Sequence, residues 1–355
     1  SAPPRPPKQE QERATTDVTE VAPGVLRTQL PIMMPGLGHV NCYLLEDERG
    51  VAVVDPGLPG PEAWDAFVGR LALAGYRVDD VHTVVVTHSH PDHFGGALRL
   101  RYESDVDLVT HATFRTLFDQ ALESEDSADL GVNTFDEQMA AIERYLGRPA
   151  PWGGARTAPP REWFERMKNE LPTAADRYEP LLPTRPLVDG QTIRLARREW
   201  VALHTPGHTY DHLCLYDPDS GAVLTGDHVL PSITPHIGGL APHADPLALF
   251  FDSLTRMAGL DGVTVALPAH GHPFTDLGGR AEHIAEHHQE RLGIIRDASA
   301  RLPDGTVDDF MKVLFRERSW GDMAASETFA HLEHLRQSGE FARTDLAGQA
   351  HYHPV

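Results

Sequence analysis

Two patterns along this 355-residue chain predict an α/β fold. Short β-branched or aliphatic runs have the length of buried strands, and five of them lead into Asp or His beside Gly or Pro. Between and after these runs lie longer stretches with apolar residues at helical spacing. With 41% hydrophobic and 23% charged residues, the chain can bury a large core and a second small domain.

The most informative segment follows the apolar run Val84–Val86 and reads Thr-His-Ser-His-Pro-Asp-His over positions 87–93. Imidazole nitrogens and carboxylate oxygens are ligands for Zn²⁺ and similar transition metals. Side chains two residues apart on an extended chain point the same way, so His88 and His90 can face one spot. Core packing is a poor explanation for three histidines in six residues, because each would need its own buried hydrogen-bond partner.

Four further apolar runs lead into single candidate residues. These residues are Asp55 after 51–54, His208 after 201–203, Asp227 after 222–225 and His270 after 263–267. Residues at the ends of several strands can converge on one edge of a sheet, although they are far apart in sequence. The sequence therefore predicts one site that collects all of these side chains.

These motifs, in this order over about residues 20–275, resemble the metallo-β-lactamase-fold hydrolases. The resemblance implies a four-layer αββα sandwich with two metal ions at one edge of its two sheets. It also implies a ligand set carried over position by position: His88, His90 and His208 for the first metal, and Asp92, His93 and His270 for the second. Asp227 would bridge both metals together with a water or hydroxide.

Two carboxylates have further expected roles. Asp92 is the candidate catalytic residue, because it could orient the nucleophile or take its proton. Asp55 is expected to support the ligands through hydrogen bonds, although an aspartate here could also simply open the turn Asp55-Pro56-Gly57. The nearby His204, His212, His228 and His272 lie outside the family's ligand positions, and we interpret them as supporting or structural residues.

The resemblance implies two zinc ions, with manganese or iron as alternatives, and hydrolysis of a small ester, thioester or lactone. An endoribonuclease with a winged-helix tail is the main alternative, and a β-lactamase is the second. The β-lactamase interpretation is weaker because Asp227 stands where one lactamase class has cysteine. A non-enzymatic DNA-binding or scaffold protein is the least favoured interpretation, since no ligand position is lost.

Three regions are expected. Residues 1–18 form a flexible Pro-rich lead, residues 19–280 form the catalytic domain, and residues 281–355 form a winged-helix-like domain of three helices and a hairpin. Within the catalytic domain, residues 112–185 are a helical insertion with helices over 112–122, 135–146 and 162–167. This insertion is either a lid over the site or an extra structural layer or subunit contact. The tail would pack on the catalytic domain or form a homodimer surface.

Charge and composition restrict the partners. A net charge of −21 with only three lysines disfavours nucleic acid, whose binding depends on neutralising phosphates. No apolar stretch approaches the roughly 20 residues that span a bilayer, and the start lacks a hydrophobic secretion segment. The two cysteines, Cys42 and Cys214, do not suggest a disulfide framework. We therefore expect a cytoplasmic enzyme with a small acyl substrate and no membrane partner.

Overall fold

Two β-sheets lie at the centre of the computed structural model, which describes residues 8–34, 36–104, 106–124, 134–154, 180–240 and 242–355. The first sheet has seven strands in chain order, and the second has five in the order β12-β11-β10-β9-β8. The strands of the first sheet are β1 (Thr19–Ala22), β2 (Val25–Met34), β3 (Leu37–Asp47), β4 (Gly50–Val54), β5 (Val81–Val85), β6 (Asp107–His111) and β7 (Arg185–Leu187). Those of the second are β8 (Thr192–Leu195), β9 (Arg198–His204), β10 (Leu213–Asp217), β11 (Ala222–Gly226) and β12 (Val265–Pro268).

The two sheets pack face to face through one apolar core. Val54 and Val85 of the first sheet belong to the same buried cluster as Trp200, Leu215 and Leu224 of the second. Alternate side chains of each strand point into this layer, so burying both inner faces removes a large apolar area from water. This packing places the carboxyl ends of β4, β5, β11 and β12 at a common edge.

Helices cover the outer face of each sheet and complete the four-layer αββα order. The helices against the first sheet are α1 (Pro61–Leu73), α2 (Pro91–Glu103), α3 (Leu117–Leu122) and α4 (Phe135–Leu146). Those against the second are α5 (Pro246–Ala258) and α6 (Leu277–Ser299). The predicted sandwich is therefore present, because each sheet buries its outer face under amphipathic helices.

The C-terminal region contains two more helices and a small sheet. Helices α7 (Val307–Leu314) and α8 (Asp322–Gln337) pack with α6, and β13 (Gly305–Thr306) pairs with the hairpin β14 (Phe341–Leu346) and β15 (Gln349–Pro354). Three helices and a hairpin occur in the expected order. Their assignment to the winged-helix class stays a prediction.

Some details differ from the sequence-based expectations. The first insertion helix begins at Leu117 rather than 112, because Thr116 caps it by accepting a hydrogen bond from the Asp119 amide. The helix expected over 162–167 lies outside the described residues. The lead is not free over residues 8–12: Glu10 is buried, and its carboxylate accepts hydrogen bonds from the amides of Ser232 and Ile233.

Two expectations about composition can also be compared with the structure. Cys42 and Cys214 are both buried free thiols. Within the described ranges, no helix has the length and apolar character needed to cross a bilayer.

Candidate metal centre

The predicted ligands meet at the common edge of the two sheets. Asp55 follows β4, the cluster at 88–93 follows β5, and Asp227 and His270 follow β11 and β12. His208 lies on the loop between β9 and β10, and the Leu213 amide at the end of this loop donates to the Thr87 carbonyl, next to the cluster that follows β5. The strand ends therefore bring together residues as far apart in sequence as Asp55 and His270, which are 215 positions apart (270 − 55).

Three imidazoles form the first ligand group. His88 Nε2 lies 3.0 Å from His90 Nδ1, which lies 3.1 Å from His208 Nε2. Ligand nitrogens on a tetrahedral Zn²⁺ are about 3.3–3.4 Å apart, given Zn–N bonds of about 2.0–2.1 Å. The observed spacing is close to this value.

The second ligand group consists of one carboxylate and two imidazoles. Asp92 Oδ2 lies 3.5 Å from His93 Nε2 and 3.5 Å from His270 Nε2. All three residues are buried. Three ligand atoms, two from the first turn of α2 and one from the loop after β12, therefore face one point.

Asp227 lies between the two groups. Its Oδ2 is 3.5 Å from His208 Nε2 and 3.6 Å from His93 Nε2, and its Oδ1 is 3.2 Å from His270 Nε2. One carboxylate thus contacts ligands of both groups. This is the position expected of a residue shared by two cations.

Unpaired polar atoms test whether these residues fit metal ions. His93 Nε2, His270 Nε2 and Asp227 Oδ1 are buried and have no hydrogen-bond partner of regular geometry. Leaving such atoms unpaired costs about 1–3 kcal/mol each, so a partner is expected. Divalent cations supply that partner for nitrogen and oxygen ligands of this type, and the residues therefore fit metal ions of the kind that the resemblance implies.

The other nitrogen of each Nε2 ligand is held by a hydrogen bond. His208 Nδ1 donates to the carbonyl of His236 at 2.7 Å, and His270 Nδ1 donates to the carbonyl of His39 at 2.6 Å. His88 Nδ1 lies 3.1 Å from Thr87 Oγ1. These contacts fix the tautomer that leaves Nε2 free to bind a metal.

Asp55 orients histidines of both ligand groups through hydrogen bonds. Its Oδ1 accepts the Thr87 amide at 2.9 Å, and its Oδ2 accepts the Thr87 hydroxyl at 2.7 Å and His93 Nδ1 at 2.8 Å. The Thr87 hydroxyl donates to Asp55 and therefore accepts from His88. One carboxylate thus orients His93 directly and His88 through Thr87, in addition to its place in a turn.

The supporting role of His212 was not distinguished from those of its neighbours by sequence. Its Nε2 accepts the backbone amide of Asp227 at 3.0 Å, and its Nδ1 lies 2.8 Å from Thr205 Oγ1. Gly226 leaves room for this ring, since a Cβ there would lie 2.6 Å from His212 Nε2. The motif Gly-Asp together with a histidine just before the adjacent strand was the available signal.

The remaining flanking histidines contact other structures. His272 Nε2 lies 2.8 Å from Glu12 Oε2, in the docked N-terminal segment. His204 stacks on His111 with ring centroids 3.8 Å apart. His228 is buried edge-on against Phe250. Their described contacts fit the structural interpretation.

Burial and neighbouring charges divide the site electrostatically. Burial, reinforced by the nearby imidazoles, lowers the pKa of His90 to about 3 and that of His88 well below its usual value. At His93 burial acts in the same direction, but Asp92, Asp227 and Asp55 overcome it and raise the pKa well above normal. Without metal, positive charge is therefore favoured at His93 among its carboxylates, whereas the imidazoles of His88 and His90 stay neutral.

A cleft of about 490 Å³ opens beside His90 and His208. Its walls come from the insertion, the loops after β5 and β9, the loop after β11 and helix α8. Lining residues from these regions include Leu117, Gln120, Ser89, Tyr210, Leu240 and Ser326. The described start of the insertion therefore forms one wall of the cleft, and whether the whole insertion acts as a lid stays a prediction.

Comparison with known proteins agrees with this geometry. Residues 35–270 match the family model of the metallo-beta-lactamase superfamily. The chain belongs to this superfamily. Its fold and its cluster of His and Asp residues imply divalent metal ions.

Three relatives illustrate the range of similarity. A metallo-beta-lactamase family protein from Thermus thermophilus has a crystal structure that superposes with a TM-score of 0.72 at 30% identity, covering 95% of this chain and 100% of that one. "Probable metallo-hydrolase YqjP" of Bacillus subtilis (strain 168) is 25% identical, over 84% of this chain and 88% of its own. "Atrochrysone carboxyl ACP thioesterase" of Aspergillus fumigatus is 32% identical over 33% of this chain and only 26% of its own length.

Proposed function

We propose that the chain is a dinuclear metallo-hydrolase that cleaves a small ester, thioester or lactone, with zinc as the preferred ion. The observation that carries the proposal is the pair of ligand groups, which both contact Asp227 and lie beside a cleft lined by His90 and His208. Such a cleft, at about 490 Å³, is in the usual size range for small-molecule sites.

When bound, two divalent ions polarise a carbonyl oxygen and lower the pKa of water toward neutrality. The protein's own residues orient the ligands and manage the proton. His88, His90 and His208 would hold one ion, Asp92, His93 and His270 the other, and Asp227 both. The buried side chains of His88, Asp92, His93, Asp227 and His270 are shielded from bulk water, which strengthens their electrostatic effect, whereas His90 and His208 are partly buried and line the cleft.

Asp92 is the proposed proton acceptor as well as a ligand. The charge of His93 overcomes the effect of burial and lowers the pKa of Asp92 to about 2, so the group is ionised at neutral pH. Its Oδ2 faces both His93 and His270 at 3.5 Å. A carboxylate at this point can accept the proton of the attacking water and orient its lone pair.

The cleft supports an uncharged acyl substrate better than a nucleic acid. Leu117, Tyr210 and Leu240 give it apolar surface, whereas the cation that lines it, Arg115, is paired with Glu123 at 3.3 Å. The net charge of −21 also opposes a polyanion. Among the relatives, two named as ACP thioesterases support thioester hydrolysis.

The test combines metal analysis with a substrate panel. The purified chain is analysed for metals, stripped with a chelator, reloaded with zinc, manganese or iron, and assayed on acyl thioesters, lactones, β-lactams and short RNAs. We expect thioester or lactone hydrolysis that is lost on stripping and restored by metal. His88→Ala and Asp227→Ala should abolish it in folded protein, whereas the exposed His283→Ala should not.

Two outcomes would contradict the proposal. If the chain binds no metal and stays inactive with every ion, the proposed hydrolase activity is refuted. Cleavage confined to RNA would instead favour the endoribonuclease alternative.

A further inference from the structure

A continuous chain of contacts links the metal ligand His208 to the C-terminal helices. His208 Nδ1 donates to the carbonyl of His236 at 2.7 Å, and the ring of His236 places Nδ1 3.3 Å from Glu327 Oε2 on α8. His236 thus contacts the ligand with its backbone and the C-terminal region with its side chain. The orientation of His208 depends on where the loop at 236 is held.

That loop is fastened to α8 at a second place. The Gly239 amide donates to both the carbonyl and the hydroxyl of Ser326, at 3.1 and 3.0 Å. A Cβ at Gly239 would lie 2.3 Å from Phe329 Cδ1, so the loop backbone lies directly against the helix. The His236 carbonyl cannot move independently of α8.

Glu327 is itself a fixed anchor. Burial opposes its charge, but the hydrogen bond from His236 and the charge of Arg291 lower the pKa of Glu327 to about 2. Arg291 Nη1 lies 3.3 Å from Glu327 Oε1, and its guanidinium lies over the ring of Phe315 at 4.4 Å. The two carboxylate oxygens are therefore divided between His236 and Arg291.

Glu327 also belongs to a group with His288 and His331 that has metal-binding composition. The Arg291 guanidinium already balances its single negative charge, since burial keeps the pKa of His288 at about 3 and that of His331 at about 4. His331 Nδ1 donates to the Glu327 carbonyl at 2.7 Å, which holds the helix turn that carries the carboxylate. His288 Nδ1 in turn lies 3.1 Å from His331 Nε2, so hydrogen bonds join the three residues into one anchor.

We propose that Glu327 is a positioning residue for the metal centre, acting on His208 through His236. The C-terminal region is then part of the active site, and Ser326 on the same helix lines the cleft. This inference rests on the proposed metal centre. Partners that orient a ligand imidazole typically change metal affinity 10- to 100-fold, so the effect is measurable without substrate.

The experiment measures metal binding by the full-length chain. Metal-free protein is titrated with Co²⁺ and followed by its visible spectrum, and the step lost in His208→Ala identifies the first ligand group. Glu327→Gln is expected to weaken that step about 10- to 100-fold and to leave the other step unchanged within error. Glu333→Gln is the matched control, because Glu333 is also buried on α8 but binds Tyr352 and Arg336 away from the site.

A second pair of variants separates positioning from folding. His236→Ala keeps the backbone carbonyl but removes the link to Glu327, and it should weaken the same step. His236→Asn should restore it, because the asparagine amide can donate from nearly the position of imidazole Nδ1. The His236 side chain is 27% exposed, so both variants should fold even if Glu327→Gln does not.

The outcomes distinguish this inference from the proposed function. If the wild-type chain binds no Co²⁺, the metal centre itself is refuted, and with it the positioning role. Suppose instead that the wild-type chain binds two ions and that both binding steps are unchanged in His236→Ala and in any folded Glu327→Gln protein. Only the positioning role is then overturned. Equal weakening of both steps, or of the same step in Glu333→Gln, would also overturn it.

Discussion

Replacing Asp55 by asparagine should weaken metal binding and folding together. Asp55 has a φ of +52°, in the left-handed region that asparagine adopts with little cost, so the backbone should tolerate the change. The carboxylate accepts three hydrogen bonds: two from Thr87 and one from His93. The variant therefore tests hydrogen bonding rather than turn geometry.

The magnitude follows from the number of acceptors. An amide keeps one oxygen, which can still accept the Thr87 hydroxyl and His93 Nδ1, but its NH₂ group then faces the buried Thr87 amide. One unsatisfied donor costs about 1–3 kcal/mol, and the lost charge on the His93 bond costs about 1 kcal/mol more. The free energy of unfolding should fall by about 2–4 kcal/mol, and metal affinity by about 10- to 100-fold.

Urea unfolding of the metal-free protein and titration with Zn²⁺ measure the two effects. Asp217→Asn is the control, because Asp217 is equally buried and binds Arg198 and Ser220 far from the ligands. It should lower stability without changing metal affinity. Should Asp55→Asn lose stability yet bind zinc as tightly as the wild type, Asp55 would only form the turn and the reasoning would be refuted.

Three other changes have defined outcomes. Asp92 and Asp227 raise the pKa of both His93 and His270 above 6.5. The stability that these charged histidines give the metal-free protein is therefore present below pH 6.5 and is lost as the pH rises through the raised pKa values. Metal binding should release their protons, which calorimetry in buffers of different ionisation enthalpy would detect. Gly226→Ala, at a φ of +50°, should cost at least about 1–2 kcal/mol in urea unfolding and lower metal content by displacing a neighbouring imidazole. Leu117→Asp should raise KM for aliphatic thioesters about fivefold, with kcat nearly unchanged, by removing about 1 kcal/mol of apolar contact. Metal binding that releases no protons would contradict the first prediction. Full metal content in Gly226→Ala would contradict the second, and an unchanged KM in Leu117→Asp the third.

The positions of the candidate ligands could be predicted because they lie at or shortly after the ends of strands that are readable from their apolar runs. The short runs before Asp55, Asp227 and His270 are buried strands, and buried parallel strands place their carboxyl ends at one edge. Topology then brings the residues together without further information. The predicted superfamily and its sandwich fold are confirmed by the family model and by the superposed crystal structure.

The supporting contacts could not be predicted in the same way. His208 donates to the backbone carbonyl of His236, and His270 donates to that of His39. Because every residue has a backbone carbonyl, the sequence does not indicate which residue accepts. The described part of the lead was predicted to be flexible from its proline content. Its docking depends on Glu10 meeting Ser232 some 222 positions away, a pairing that only the folded chain creates.

The docked N-terminal segment also acts on the second ligand group. The Glu12 carbonyl accepts from His39 Nδ1 at 2.7 Å, leaving the other ring nitrogen of His39 to accept the Gly271 amide at 3.0 Å, and the carbonyl of His39 holds His270. A chain shortened to begin at Arg13 would keep every ligand, yet the residues that clamp His270 would be loosened. A protease that trims these residues during purification would therefore lower the amount of metal that the isolated protein retains.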